Sequence, residues 1–154
     1  MYEKFGQFIN GKWQNSSSGE TYDVINPATE EIIGKASKAN QKDIELCLKS
    51  AERGLQIWKN TSPWERSKII RKISDLIRKR REVLSKWLTL EVGKPLKEGS
   101  GEANGAADIF EWRADAAKRI YGETLLGRSP STRIHVYYQP VGVVAALVPW
   151  NFPI

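Results

Sequence analysis

The sequence contains few of the residues that form disulfides, bind metals or cross membranes. Among its 154 residues are one cysteine, one methionine and one histidine. The single cysteine, Cys47, rules out an internal disulfide and agrees with a reducing compartment. No run of about 20 apolar residues suggests a membrane span, and the start lacks the apolar run of a signal peptide. We therefore expect a soluble cytoplasmic protein without a membrane partner.

Clusters that would bind a metal or begin nucleophilic catalysis are also absent. No group of Cys, His and carboxylate residues has ligand spacing, so we expect no metal site. Cys47 falls on the apolar face of a predicted helix, where a buried structural thiol is expected rather than a nucleophile. His135 lies in an alternating stretch typical of a strand face. Residues 99–105, "GSGEANG", have the wrong glycine spacing for a nucleotide loop and follow no strand.

The composition is that of an ordinary globular chain. Hydrophobic residues make up 40% and charged residues 27%, and six tryptophans indicate a core or an interface. The net charge of +6 favours acidic partners only modestly. A basic run at 78–81, with Lys68, Arg71 and Lys72 nearby, could contact nucleic acid. No aromatic residues interleave with these charges, so we expect a solvated helix face and no nucleic-acid partner.

Short strands and turns are predicted over residues 1–38. Asn10-Gly11 in "FINGKW" (8–13) is a strong hairpin signal. Two further strands are expected at 20–25 and 30–37, on either side of Asn26-Pro27. Because two or three strands alone are marginal in water, we expect this antiparallel arm to pack against a larger body.

Helical periodicity predicts four helices within residues 39–121. Asn40 caps the first, and Ser62 starts the second with a proline and a capping-box glutamate behind it. Gly93 ends the third, near 82–92, and the fourth covers 96–121 with a glycine-weakened start. The predicted buried faces are Ile44, Cys47, Leu48, Ala51, Leu55 and Trp58; Ile70, Ile73 and Ile77 with Ile69 and Leu76; and Ala103, Ala107, Phe110, Ala114, Ala117 and Tyr121.

The last part of the chain changes character. Residues 122–131 are predicted to be a loop, and 132–140 alternate as a strand does. Residues 141–149, "VGVVAALVP", are continuously apolar, which is typical of a strand buried on both faces of a parallel sheet. A parallel strand needs neighbours reached through crossovers, and none precedes it, so it is expected to open a larger α/β sheet.

Several stretches together resemble the N-terminal part of the aldehyde dehydrogenase superfamily. The stretch 110–123 is most similar to the succinate-semialdehyde dehydrogenase branch. The others are "FINGKW" at 8, "NPATEEIIG" at 26, "TLEVGKPL" at 89, "QPVGVV" at 139 and "PWNFP" at 149. The resemblance implies an α/β fold that comprises an antiparallel β arm (1–38), the helical part of the cofactor-binding domain (39–121), a loop with an oligomerisation-type strand (122–140) and the first strand of a Rossmann-like sheet (141–154).

The resemblance also implies a chemistry. In this family a cysteine thiolate attacks an aldehyde, an asparagine amide and a backbone N–H hold the oxyanion, and hydride passes to NAD or NADP before a glutamate activates water. By motif match, Asn151 takes the oxyanion role, and Val148, Pro149, Trp150 and Asn151 lie along the cofactor near its nicotinamide. A small aldehyde, with succinate semialdehyde preferred, is the implied substrate, and a homo-oligomer built through strands like 132–139 is the implied assembly.

The resemblance leaves two hypotheses open. The family's nucleophilic cysteine, its general-base glutamate and its ribose-binding lysine lie beyond "PWNFP", so we expect this chain alone to be inactive, with weak or absent cofactor binding. Such a chain would self-associate, because 141–149 would expose apolar faces and edges. The alternative is a stand-alone helical binding or assembly module without enzymatic activity, which predicts a monodisperse chain that melts cooperatively.

Overall fold

The computed structural model describes residues 6–154, so the first five residues of the predicted arm lie outside it. Three two-stranded antiparallel hairpins and four helices make up the described chain. In chain order the elements are β1 (Gln7–Ile9), β2 (Lys12–Gln14), β3 (Thr21–Ile25), β4 (Ile32–Ser37), α1 (Gln41–Asn60), α2 (Pro63–Lys79), α3 (Arg81–Val92), α4 (Leu96–Ala117), β5 (Glu123–Leu126) and β6 (Arg133–Val136).

The first two hairpins confirm the predicted arm. Asn10 and Gly11 join β1 to β2 with φ values of 55° and 76°, the left-handed conformation that a two-residue hairpin turn requires. The Phe8 and Trp13 rings lie opposite each other with centroids 5.2 Å apart. Strands β3 and β4 pair at the positions expected, with a register shift after Val24.

Helix α1 begins at the predicted cap and is attached to the arm through it. The Asn40 side chain accepts from the first-turn backbone, and Asp43 accepts from the Asn40 N–H, which completes a capping box. The buried Asp43 carboxylate also accepts from Ser16 Oγ at 2.8 Å and from Ser17 N–H at 3.0 Å. Burial alone would raise the pKa of this carboxyl, but the hydrogen bonds from Ser16, Asn40, Ser17 and Gln7 outweigh burial and lower the pKa well below 3.8.

The apolar face of α1 is mostly uncovered. Ile44 and Leu48 are 48% and 49% exposed, and Trp58 is 39% exposed. Cys47, on the same face, is an exposed free thiol. The prediction of a buried Cys47 is therefore wrong, because the periodicity correctly placed an apolar face but little of the described chain packs against it.

The buried centre of the molecule lies between α2 and α4 and consists of small residues. Ser67 and Ser74 on α2 face Ala103, Ala107 and Ala114 on α4, and all five are buried. Because these side chains are short, the helix backbones approach closely enough for Ser74 Oγ to donate to the Ala107 carbonyl at 2.8 Å. The predicted face of α4 is confirmed at its alanines.

The predicted faces of α2 and α4 are wrong at two kinds of position. On α2 the isoleucines lie beside the contact with α4, not at its centre, because the serines permit the closer approach; Ile73, Ile69 and Leu76 remain 37%, 48% and 39% exposed. At the end of α4, the helix stops before Tyr121, which is 67% exposed. Helical periodicity located the helices but did not identify the side of α2 that small polar residues occupy.

Helix α3 packs against the start of α4 through glycine. Gly93 ends α3 in the left-handed conformation (φ 73°), and its N–H donates to Thr89 O at 3.0 Å, as predicted. A Cβ at Gly99 would lie 3.1 Å from the Ser85 carbonyl and 3.4 Å from Leu88 Cβ. The glycine at 99 therefore permits the close contact that buries Leu88 to 3% exposure.

The C-terminal part differs most from expectation. Residues 123–126, predicted as loop, form β5, which pairs with β6 from Glu123–Val136 to Leu126–Arg133. The strand predicted at 132–140 is confirmed only over β6. Residues 141–149 form no strand: Val141 is 91% exposed and Leu147 is 97% exposed. That prediction is wrong for this chain because a parallel strand requires neighbouring strands, and the described residues pair only as antiparallel hairpins.

Candidate active-site segment

The segment that carries the predicted site, residues 148–154, lies against α3 and α4. It begins within the exposed stretch 141–149, which it shares at Val148 and Pro149, and makes a turn at Trp150 and Asn151. Lys94 Nζ donates to the Asn151 carbonyl at 2.8 Å, and the Ile154 N–H donates to Glu102 Oε1 at 3.2 Å. The segment is thus attached through its main chain, which leaves the Asn151 side chain exposed.

The surroundings of Asn151 differ from the sequence-based expectation. An amide that stabilises an oxyanion next to Trp, Phe and Pro implies a low-dielectric site enclosed by those side chains. Trp150 and Phe152 are instead 78% and 64% exposed, and Val148 is 74% exposed. Within this chain the predicted cofactor-binding residues (Val148, Pro149, Trp150 and Asn151) form an open surface, because the described residues supply no second wall.

Two clefts border this segment. One, of about 670 Å³, lies between the segment and α4. It is lined by Lys94, Glu98, Gly101, Glu102, Gly105, Ala106, Ile109, Asn151, Phe152 and Ile154. The other, of about 470 Å³, runs along α3, and partial burial there raises the pKa of Glu91. Its lining is mostly apolar, with Val83, Leu84, Trp87, Leu88, Val92, Pro153 and Ile154.

Lys94 and Glu102 are the site residues that sequence reasoning missed. They form an ion pair whose side chains are only 13% and 5% exposed. The sequence correctly predicted a helix end at Gly93, but it indicated no role for the lysine that follows. The sequence offered one signal: Lys94 and Glu102 carry opposite charges and are eight residues apart, with Lys94 before the start of α4 and Glu102 after it. Only the turn at Gly93 shows that the two face each other.

The predicted solvated basic face of α2 is in part an internal ion-pair network. Arg71 binds Glu111 and Asp115 of α4, and Arg78 binds Asp108 and Glu111, with N–O distances of 2.7 Å in each case. Hydrogen bonds from Arg78 and Arg71 lower the pKa of Glu111, with burial acting against them. The expectation of a purely solvated face is therefore wrong at these two arginines.

The remaining candidates behave as structural residues. His135 lies on β6, as predicted, with its Nδ1 3.0 Å from Thr124 Oγ1. Within residues 6–154, no group of three or more His, Cys, Asp and Glu side chains could hold a metal ion. In the same range, no helix combines the length and apolarity needed to cross a bilayer.

Comparison with known proteins identifies the family of the chain. The model of the family described as "Aldehyde dehydrogenase family" matches residues 13–154. This chain belongs to the aldehyde dehydrogenase family. It is 41% identical over 146 residues to glutarate-semialdehyde dehydrogenase of Pseudomonas putida, covering 95% of this chain and 30% of that protein. It is 40% identical to the succinate-semialdehyde dehydrogenase [NADP(+)] of Escherichia coli, covering 94% and 30%.

A solved structure shows the same correspondence in three dimensions. Betaine aldehyde dehydrogenase of Staphylococcus aureus, in complex with NAD⁺, superposes with a TM-score of 0.90 at 32% identity, covering 97% of this chain and 30% of that one. The hairpins and four helices thus correspond to the N-terminal part of the aldehyde dehydrogenase fold. The chain spans about 30% of the length of the relatives it matches.

Proposed function

We propose that this chain supplies one part of the active site of an NAD(P)-dependent dehydrogenase that oxidises a semialdehyde to the corresponding acid. The observation that carries the proposal is the family match over residues 13–154, which includes Asn151 within "PWNFP". The names of the relatives, succinate- and glutarate-semialdehyde dehydrogenase, support a short-chain semialdehyde as substrate.

Asn151 is proposed to stabilise the oxyanion. Its carboxamide has no charge to neutralise and offers N–H donors, which suit an oxygen that becomes negative only during the reaction. Because Lys94 holds the Asn151 carbonyl and the side chain remains exposed, the amide is free to face a substrate. A donor of this kind contributes about 3 kcal/mol to the transition state once the site excludes water.

The residues present fit only one end of a dinucleotide. Val148, Pro149 and Trp150 offer exposed apolar surface beside an amide, which suits a flat nicotinamide ring. Residues 99–105 lie inside α4 and form no phosphate loop. When bound, NAD or NADP would accept the hydride; the role of Val148–Asn151 is to orient the ring. We infer weak or absent cofactor binding by this chain alone, and no turnover, since its one thiol, Cys47, lies on α1.

Assembly and location are part of the same proposal. The strand region 132–139 would join copies of the longer enzyme, and the exposed 141–149 segment favours self-association of this chain by itself. A cytoplasmic location remains our expectation. The alternative of a stand-alone binding module is less well supported, because Arg71 and Arg78 of its supposed basic surface are engaged by α4.

The proposal is tested in a chimaera, called here the extended enzyme. Residues 1–154 replace the matching 30% of the Pseudomonas putida glutarate-semialdehyde dehydrogenase. The extended enzyme is expected to oxidise glutarate or succinate semialdehyde with NAD or NADP, followed by absorbance at 340 nm. Asn151→Ala should lower kcat about 10²–10³-fold, because one oxyanion donor is lost.

The matched control is Asn104→Ala, the same change at an exposed residue of α4. It should leave kcat unchanged. Equal kcat values for Asn151→Ala and Asn104→Ala would show that Asn151 does not stabilise the oxyanion. Turnover by the purified 154-residue chain would overturn the claim that it supplies only part of the site.

A further inference from the structure

The ion pair between Lys94 and Glu102 is unusual in this molecule for its burial. Its side chains are 13% and 5% exposed, whereas in the other ion pairs within residues 6–154 every side chain is at least 29% exposed. Burying two charges is costly unless they are paired and further hydrogen-bonded. A pair buried to this degree therefore needs further hydrogen-bond partners to be stable.

Both members of the pair bind the main chain of the active-site segment. Lys94 Nζ, besides binding Glu102, donates to the Asn151 carbonyl at 2.8 Å and lies 4.3 Å from the centre of the Phe152 ring. Glu102 uses its other carboxylate oxygen to accept from the Ile154 N–H at 3.2 Å. One charge pair therefore contacts three of the last four residues.

These two hydrogen bonds join the end of the chain to the connection before α4 and to α4 itself. The stretch just before, 141–149, has no regular structure and is mostly exposed. Without the pair, the attachment of the segment would rest on the contacts of Phe152, Pro153 and Ile154 in the two clefts. The direction of the Asn151 side chain therefore depends on where the pair holds its backbone.

The pair is itself fixed by the turn between α3 and α4. Gly93 ends α3 in the left-handed conformation, so Lys94 leaves the helix axis and faces α4. Glu102 lies on α4 beside the buried Ala103. Lys94 thus lies in the short connection between α3 and α4, and Glu102 lies on α4, so the pair ties the backbone of residue 151 to the place where the two helices meet.

We propose that Lys94 and Glu102 are positioning residues that fix the backbone at Asn151 and so aim its amide at the reacting oxygen. The inference rests on the proposed function of Asn151. Neither side chain needs to touch the substrate. Displacing a catalytic group by about 1 Å can lower a rate about 10²-fold, so loss of either charge should lower kcat more than it changes KM.

The structural test uses the 154-residue chain itself. Lys94→Met keeps most of the side-chain length and removes the charge; Glu102→Gln keeps the shape and removes the opposite charge. In NMR of the ¹⁵N,¹³C-labelled chain, the Ile154 amide should exchange with solvent about tenfold faster in both variants, and the ¹H–¹³C resonances of the Phe152 ring should move toward those of a solvated ring. Lys97→Met, at an exposed lysine of α4, is the matched control and should change neither signal.

The functional test uses the extended enzyme. Lys94→Met and Glu102→Gln should each lower kcat about tenfold to a hundredfold with KM for the aldehyde changed less than about threefold. Lys94→Arg, which keeps a positive donor, should recover part of the loss. Thermal melting of every variant, compared with Lys97→Met, separates a displaced segment from a failure to fold.

The outcomes separate this inference from the proposed function. Unchanged Ile154 exchange in both variants would show that the pair does not hold the segment and would overturn the inference. A released segment with unchanged kcat, while Asn151→Ala is strongly impaired, would also overturn it. If Asn151→Ala itself retains full kcat, the proposed function fails first, and the positioning role fails with it. A released segment with lowered kcat supports both.

Discussion

The helices α2 to α4 and the stretch 141–149 differ in whether their backbone and side chains find partners within the chain. In α2–α4 the backbone is satisfied within each helix, and the apolar and polar groups find partners within the chain: alanines meet serines, and arginines meet carboxylates. Residues 141–149 are more apolar, yet Leu147 is 97% exposed. Apolar sequence alone does not make a strand, because the backbone must first have neighbouring strands to bind.

This contrast separates a part of the molecule that packs within the chain from a part that does not. The helices α2, α3 and α4 are stabilised by their own backbone hydrogen bonds and by contacts with one another. The segment with Asn151 is attached to them at Lys94 and Glu102, whereas residues 141–149 just before it pair with no strand of the described chain.

The largest expected effect comes from the same substitution, leucine to alanine, made once in each of the two regions. Leu88→Ala removes a side chain that is 3% exposed between α3 and α4, and should lower the free energy of unfolding by about 2–5 kcal/mol. Leu147→Ala should change it by less than about 0.5 kcal/mol in this chain. Urea denaturation followed by circular dichroism measures both. Equal costs would mean that 141–149 is packed in solution.

A smaller effect is expected at Asp43, which attaches the arm to α1. Because hydrogen bonds lower the folded-state pKa of Asp43 below 3.8, its contribution to stability is fully present well above that pH. This contribution should decline as the pH falls below the pKa of the unfolded state toward the lower pKa of the folded state. Asp43→Asn should therefore lower Tm at pH 7, and its difference from the native chain should shrink toward pH 3.

The matched control for that experiment is Asp75→Asn, at an exposed aspartate of α2. Its Tm should follow the native chain throughout the pH range. A Tm difference for Asp43→Asn that is constant from pH 7 to pH 3 would contradict the assignment of this stability to an ionised carboxylate.

Local chemistry was predictable from the sequence, whereas contacts between distant residues were not. Asn10-Gly11, Asn40 and Gly93 each fix a turn or a helix end by interactions within a few residues, and the structure confirms all three. The family motifs likewise identified the fold without any packing argument. β5 was missed because its pairing with β6 crosses a loop whose turn residues gave no clear hairpin signal.

The failures share a physical cause. The exposure of Cys47, the serine-lined contact of α2 and the absence of a strand at 141–149 all depend on what lies opposite a given face. Periodicity shows that a face is apolar but does not show that anything covers it. The same limit hid the pair of Lys94 and Glu102, whose role follows from the turn that brings them together.

The most direct test of this account is amide hydrogen exchange of residues 141–149, measured by mass spectrometry in the 154-residue chain and in the extended enzyme. We predict exchange at close to the unprotected rate in the chain alone, and protection in the extended enzyme, where neighbouring strands complete the sheet. The α4 amides should be protected in both and serve as the internal reference. Protection of 141–149 in the chain alone, or its absence in an active extended enzyme, would contradict the account.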